Sequence, residues 1–416
     1  MAANRSKHIL FLSYDGLTDP LGQSQIIPYL KGLCGYGYTF TILSCDKPDL
    51  YKANQSTVEE QLSGVAIEWV SIPYHKWPPV LSSAYDFLQM KRTAYRLHRK
   101  YRFDMVHTRP GVPTVVATAM QKKFGIKFLN DVRGFWAQER VDGGMWNLRN
   151  FVYRQLYTFF RKHELQCLLK ADALVCLTEA ARHIIMRETA EHGKTTNPTV
   201  IPCSADTDFF DPSTLNTGAL EALKQQCGIK ENELVISYLG SIGGWYLTDE
   251  MMHFCSEVHA AIPTARFLFI SPHRHDQILQ AAQKQGIPSN RLITVRAERS
   301  LVPLYLSLSH FNLFFIRPCY SKLASSPTKH GEVMSMGIPV ITNSGVGDLD
   351  DIIQRTQSGW LIETFSKDAY ADVVRRLQSP SPFNATAIRQ SALEIYGLQH
   401  AVQQYREVYR TILGDE

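Results

Sequence analysis

The chain has 416 residues, 44% of them hydrophobic and 20% charged, with a formal net charge of +5. That balance excludes a disordered chain and a charge-driven nucleic-acid binder, and the length suits two globular domains of about 200 residues each. Eight cysteines without C-x-x-C spacing argue against a zinc or disulfide framework and point to reduced thiols in a cytoplasmic protein; no run has the length of a membrane span, and no signal peptide is evident before the first strand.

The first half alternates short apolar runs with helical patterns. Strands are predicted at His8–Ser13, Thr39–Ser44, Ala66–Ile72, Asp104–Thr108, Lys127–Asn130 and Ala173–Leu177, and a helix over Gln23–Gly35 begins just after Gly22. Ile201–Phe210 breaks the alternation and reads as a linker. The pattern then restarts with a strand at Leu234–Leu239, a loop holding Gly240, Gly243 and Gly244, and a helix over Asp249–Ala260. Further strands follow at Arg266–Ser271, Leu292–Val295, Asn312–Ile316 and Val340–Thr342. A last amphipathic helix, about His400–Leu413, carries Val402, Tyr405, Val408, Tyr409 and Ile412 at helical spacing. Such alternation predicts an α/β protein with two Rossmann-like, doubly wound domains, facing across a cleft at the carboxyl ends of their strands.

The most informative stretch runs from Ser325 to Thr342. Ser326 suits an N-cap and Pro327 the first helical position, Gly337 and Pro339 close the helix, and an apolar strand follows. Lys329 and Glu332, three apart, share one helix face. A lysine and backbone N–H groups at a helix start suit phosphate, and a carboxylate one turn further in suits a pair of sugar hydroxyls. An ordinary capped surface helix with a solvated Lys/Glu pair is the alternative.

The segment Glu332-Val333-Met334-Ser335-Met336-Gly337-Ile338-Pro339-Val340 resembles the donor-site signature of family-4 glycosyltransferases, which have the two-domain GT-B fold. The family often carries a second glutamate eight positions earlier, where this chain has Ala324; the Ser326-Pro327-x-Lys329 form is similar to a branch without it. The resemblance covers nearly the whole chain. It implies an acceptor-binding domain over 1–202, a linker over 203–215, a nucleotide-sugar-binding domain over 216–395, and a helix over 396–416 that crosses back to the first domain.

It also implies the chemistry: a hexosyl group passes from a UDP- or GDP-linked sugar to a glycan or lipid-linked hydroxyl, with retention, without metal or other cofactor, in surface polysaccharide or glycoconjugate synthesis. Closure of the two domains around the donor is expected to exclude water. Lys329, Glu332 and Asp131 are the expected catalytic residues. Donor contacts are expected from Gly22, Gly240, Ser241, Gly243, Arg296, Arg317, Thr328, Lys329 and Glu332. Acceptor contacts are expected from Tyr14, Asp15, Arg109, Asp131 and Arg133. The family's loop arginine and lysine are replaced by Ser241 and Tyr246, and Arg317 is a candidate for the missing charge, with a structural salt bridge as the alternative. Asp131 and Arg133 also suit a buried structural ion pair. Gly22 does not form a G-x-G-x-x-G fingerprint, so NAD binding has little support. Asp206-Thr207-Asp208 matches a metal motif by letter only, and no metal site is evident. Readings that remain open are an epimerase or hydrolase of the same fold, and a non-catalytic nucleotide-sugar-binding protein.

Two stretches, 91–102 and 149–162, interleave basic residues with aromatics. They suit either an anionic membrane surface, with a peripheral place on its inner face, or two amphipathic helices with solvated basic faces.

Overall fold

The computed structural model describes residues 6–78 and 80–414. The chain forms two compact units. The first comprises residues up to Pro202 together with those from Leu398 onward, and the second is Cys203–Gly397.

The first unit is built on seven strands: β1 His8–Ser13, β2 Thr39–Asp46, β3 Ile67–Pro73, β4 Met105–Thr108, β5 Lys127–Val132, β6 Ala173–Cys176 and β7 Thr199–Val200. They run parallel in the order β3-β2-β1-β4-β5-β6-β7. The second unit has six: β8 Val235–Leu239, β9 Arg266–Ile270, β10 Leu292–Val295, β11 Phe311–Phe314, β12 Val340–Asn343 and β13 Gly359–Ile362. Their order is β10-β9-β8-β11-β12-β13, again parallel. Helices cover both faces of such sheets, so central strands are buried on both sides and read as continuous apolar runs. Val-Ile-Ser-Tyr-Leu of β8 is buried throughout.

Several elements depart from the sequence expectation, each for a local reason. The helix expected over Gln23–Gly35 is two helices, Pro20–Gln25 and Ile27–Cys34. Pro28 has no N–H to bond back across the joint, and Ile26 leaves helical geometry at φ −124°. Gly22 therefore lies within a helix, where a Cβ would come within 2.3 Å of the Gly16 carbonyl oxygen. Strand β5 continues through Val132, so Asp131 is an internal strand residue opposite Val175 and not the first residue of a loop. The donor-motif helix starts one residue later than expected, with Pro327 at the cap and Thr328 first. Ser326 does not cap it; its hydroxyl accepts from the Cys203 N–H at 3.2 Å.

The segment read as a linker packs into the second unit. Phe210 is buried in its core, and Arg389 donates to the Phe210 and Thr207 carbonyls while pairing with Asp211 at 2.7 Å. The last helix, Leu398–Leu413, packs against Ile27–Cys34 and joins the core of the first unit through Val402, Tyr405, Val408, Tyr409 and Ile412. All eight cysteines are free. No helix among the described residues is long and apolar enough to cross a membrane.

Candidate active site

In a doubly wound sheet, chain crossovers diverge to left and right at one point, leaving an open crevice outside the carboxyl ends of the two strands there. In the second unit that point falls between β8 and β11. The segments following these strands run side by side. The Leu247 N–H donates to the Phe315 carbonyl and the Arg317 N–H to the Trp245 carbonyl, both at 2.9 Å, with an antiparallel bridge between Tyr246 and Ile316.

Lys329 enters this point from the first turn of the helix Thr328–Ser335. The residue is 7% exposed, and its ammonium donates to the Tyr238 hydroxyl at 3.2 Å. The same Nζ lies 3.5 Å from the Tyr246 ring centroid and 4.2 Å from that of Tyr238. No carboxylate pairs with it among the described residues. Burial lowers its pKa well below the usual lysine value, with Glu332 pulling the other way. Gly240 makes room for the ammonium: it adopts φ +121°, and a Cβ there would sit 2.9 Å from Nζ.

Glu332, one turn further in, is half-buried, and its carboxylate accepts no hydrogen bond among the described residues. Burial raises its pKa, Arg299 and Lys329 pull it down, and Asp206 adds a smaller upward push. Thr328 is half-buried at the helix start, where first-turn amides lack intrahelical partners. Ser241 is exposed, and its carbonyl accepts from the Tyr238 hydroxyl. Gly243, at φ +78°, lies against the Arg274 guanidinium. Arg317 is exposed and forms no ion pair among the described residues, which leaves its structural-salt-bridge alternative without support. Arg296 is exposed just after β10. The structure thus gathers Gly240, Ser241, Gly243, Arg317, Thr328, Lys329 and Glu332 around one crevice.

In the first unit the crossovers diverge between β1 and β4. Tyr14 and Asp15 follow β1 directly. The Tyr14 hydroxyl donates to Asp86, which also takes the His75 ring at 2.6 Å, and burial pushes the phenol pKa upward. Asp15 is exposed.

Asp131, Arg109 and Arg133 come together, but inside the unit. Asp131 is 2% exposed, accepts from the Tyr405 hydroxyl at 2.8 Å and lies 3.6 Å from His107 Nε2. His107 Nδ1 bonds to the Tyr409 hydroxyl at 2.8 Å. Arg109 donates to the Gln25 carbonyl at 2.9 Å, and Arg133 to the Gln25 side chain at 3.1 Å. Burial raises the Asp131 pKa, but Arg133, His107 and Arg109 together outweigh it and hold the carboxyl below its usual range. Asp131 is thus a buried carboxylate tied to the last helix by the Tyr405 hydrogen bond, with Arg133 and Arg109 close enough to act on its charge.

Sequence reasoning missed the aromatic bed of Tyr238 and Tyr246, the approach of Arg274 to Gly243, and Arg299 beside Glu332. Local pattern offers no signal for a side chain that arrives from another strand's loop. Tyr405 and Tyr409 were legible as apolar-face residues, but not as hydrogen-bonding partners of Asp131 and His107.

The fold and the crevice can be set beside known proteins. Residues 233–379 match the family described as Glycosyl transferases group 1. A search of curated proteins gives no match. Among solved structures, a glycosyltransferase from Rickettsia africae ESF-5 superposes with a TM-score of 0.72 at 16% identity, covering 99% of this chain and 100% of that one. Sucrose-phosphate synthase from Thermosynechococcus elongatus gives 0.74 at 12% identity, covering 99% and 100%. Anabaena Alr3699/HepE, solved in complex with UDP and glucose, gives 0.68 at 13% identity, covering 96% and 98%. At these identities the likeness establishes the fold, and the fold is GT-B. The sequence match over the second unit is to glycosyltransferases.

Proposed function

We propose that the protein is a glycosyltransferase that holds a nucleoside-diphosphate sugar at the β8/β11 crevice and passes the sugar to a hydroxyl acceptor. One observation carries the reading: the buried Lys329 ammonium has a hydroxyl and two aromatic faces for company, but no counter-ion. An unpaired buried charge costs several kcal/mol, and a diphosphate supplies the missing partner. During transfer the bond from the anomeric carbon to the diphosphate oxygen breaks, and negative charge grows on the departing phosphate. Lys329 and the amides of the first helical turn stabilise that charge. Glu332 suits a pair of ribose hydroxyls, since its carboxylate has no other hydrogen bond to give up. That Alr3699/HepE was solved with UDP favours a UDP-linked donor here. Retention and independence from metal belong to the proposal through the family resemblance.

The acceptor, in this proposal, is lipid-linked and reached from an anionic membrane surface on the cytoplasmic side. Both basic-aromatic stretches lie on helices of the first unit, Leu81–Tyr101 and Phe151–Lys170. Apolar residues on and just ahead of these helices are not all turned inward: Trp77, before the first helix, is 80% exposed, Leu81 69% and Phe151 63%. A groove of about 520 Å³ carries Lys91, Lys122, Lys170 and Phe159 among its lining residues. Basic residues near an anionic bilayer contribute about 1 kcal/mol each.

The deciding experiment is a titration with UDP, GDP and ADP, followed by a turnover assay with the matching sugar nucleotide. Tight binding of one diphosphate and its acceptor-dependent release support a transferase. Release without an acceptor indicates a hydrolase, and binding without turnover indicates a binding protein. Sedimentation with anionic but not neutral vesicles, reversed by salt, is expected for the membrane face; no binding removes that part.

A further inference from the structure

The loop from Gly240 to Leu247 borders the crevice yet contains no lysine or arginine. Lys329 fills the space beside its first glycine. A second cation reaches it from a different strand. Strands β8 and β9 are parallel neighbours, so the segments that follow them emerge at the same edge of the sheet. Arg274 lies in the segment after β9, just ahead of the helix His275–Lys284.

Arg274 adopts φ +62° and ψ +34°, a left-handed conformation that side-chain-bearing residues seldom hold. Turn hydrogen bonds fix it there: the Ser271 hydroxyl donates to the His273 carbonyl at 3.0 Å, and the His275 imidazole bonds to the Ser271 carbonyl at 2.7 Å. Strain of this kind concentrates where a side chain must be aimed. Here the aim is across to the loop after β8, where Nη1 donates to the Ile242 carbonyl at 3.0 Å. A Cβ on Gly243 would lie 2.7 Å from that nitrogen, so the glycine leaves the place that the guanidinium takes. The Ile242 bond uses one of the five N–H donors of an arginine, and no carboxylate pairs with Arg274 among the described residues.

We propose that Arg274 binds the diphosphate of the donor, with Lys329 at Gly240 and Arg274 at Gly243 flanking it. The proposal rests on the donor reading above and adds a residue to it. A planar guanidinium with donors to spare meets phosphate oxygens in pairs, whereas the Lys329 ammonium acts as a point charge. The positive-φ glycines between the two cations let the backbone amides approach the same anion.

The test compares wild type, Arg274→Gln, Arg274→Lys and Lys329→Ala, titrated with UDP by calorimetry and with uridine by ligand-observed NMR. Arg274→Gln is expected to weaken UDP at least tenfold and leave uridine within twofold, with Arg274→Lys between the two. Equal weakening of UDP and uridine would show that Arg274 merely staples the loop, and would overturn the proposal. Unchanged UDP binding in Arg274→Gln, with binding lost in Lys329→Ala, would overturn it while leaving the donor site standing. If the wild type binds GDP or ADP in place of UDP, the same comparison is made with that diphosphate and its nucleoside; failure to bind any of the three would remove the donor site and the proposal together.

Discussion

Each unit keeps a charged side chain in its interior, and the two are treated differently. Asp131 in the first unit is surrounded by groups that answer its charge: Tyr405 donates to it, His107 lies beside it, and Arg133 and Arg109 add positive potential. Lys329 in the second unit is nearly as buried but has a phenol hydroxyl and aromatic faces, chiefly those of Tyr238 and Tyr246, where a counter-ion would stand. A buried charge with partners holds a structure together. One without a partner, at the point where a sheet leaves its crevice open, is poised for a ligand that brings the opposite charge.

The largest effect that would sharpen this contrast is in the first unit. Asp131→Ala strips a buried cluster of its anion and is expected to destabilise the protein by about 3–5 kcal/mol. Urea denaturation reads this, and UDP affinity should remain as in wild type. Lys329→Ala is expected to do the reverse, weakening UDP ten- to a hundredfold, about 1.4 to 2.7 kcal/mol, with no loss of stability. If it unfolds the protein as readily as Asp131→Ala, the contrast collapses and Lys329 is structural. Tyr409→Phe removes the partner of a buried imidazole nitrogen. It should cost about 1–3 kcal/mol in denaturation, without altering UDP binding.

Smaller effects come from pH. The carboxyl of Asp131 is depressed in the folded state, against about 3.9 unfolded. Its contribution is therefore present above the unfolded value and is lost as pH falls through the folded one. Asp131→Asn should flatten the acid limb of a stability profile, and an unchanged limb would show that other groups govern it. For Lys329 burial in the free protein lowers the ammonium pKa, and a diphosphate bound as proposed would raise it again. Binding should then take up a fraction of a proton, and affinity should fall as pH rises past the free-state pKa. Calorimetry in two buffers of different ionisation enthalpy measures that uptake; a value of zero would mean that Lys329 is charged throughout.

The second unit's site was the more legible in sequence because its parts are local. Lys329 and Glu332 announce themselves by helical spacing, and Gly240 by ending an apolar strand. The aromatic bed was not legible, because Tyr238 and Tyr246 read simply as strand and loop residues until the helix start is placed over them. The reach of Arg274 to Gly243 was not legible either, since nothing near it in sequence shows which loop it faces. The surroundings of Asp131 were not legible for the same physical reason. Its partner Tyr405 lies in the last helix, and the strand before it runs two residues further than the apolar run suggests. Pairings across such sequence distances are decided by topology, which pattern alone does not resolve.

The last helix carries one more consequence. Leu398–Leu413 completes the core of the first unit, and its tyrosines close the network around His107 and Asp131. On a ribosome, the strands β1 to β7 emerge long before that helix exists, and the whole of Cys203–Gly397 is translated in between. The unit made first is thus the one finished last. The second unit, continuous in sequence, has all its strands available to fold while the first still lacks its closing piece. For that interval the apolar surface that Val402, Tyr405 and Tyr409 will cover stands open. The vulnerable window in this protein's biogenesis therefore belongs to its amino-terminal half.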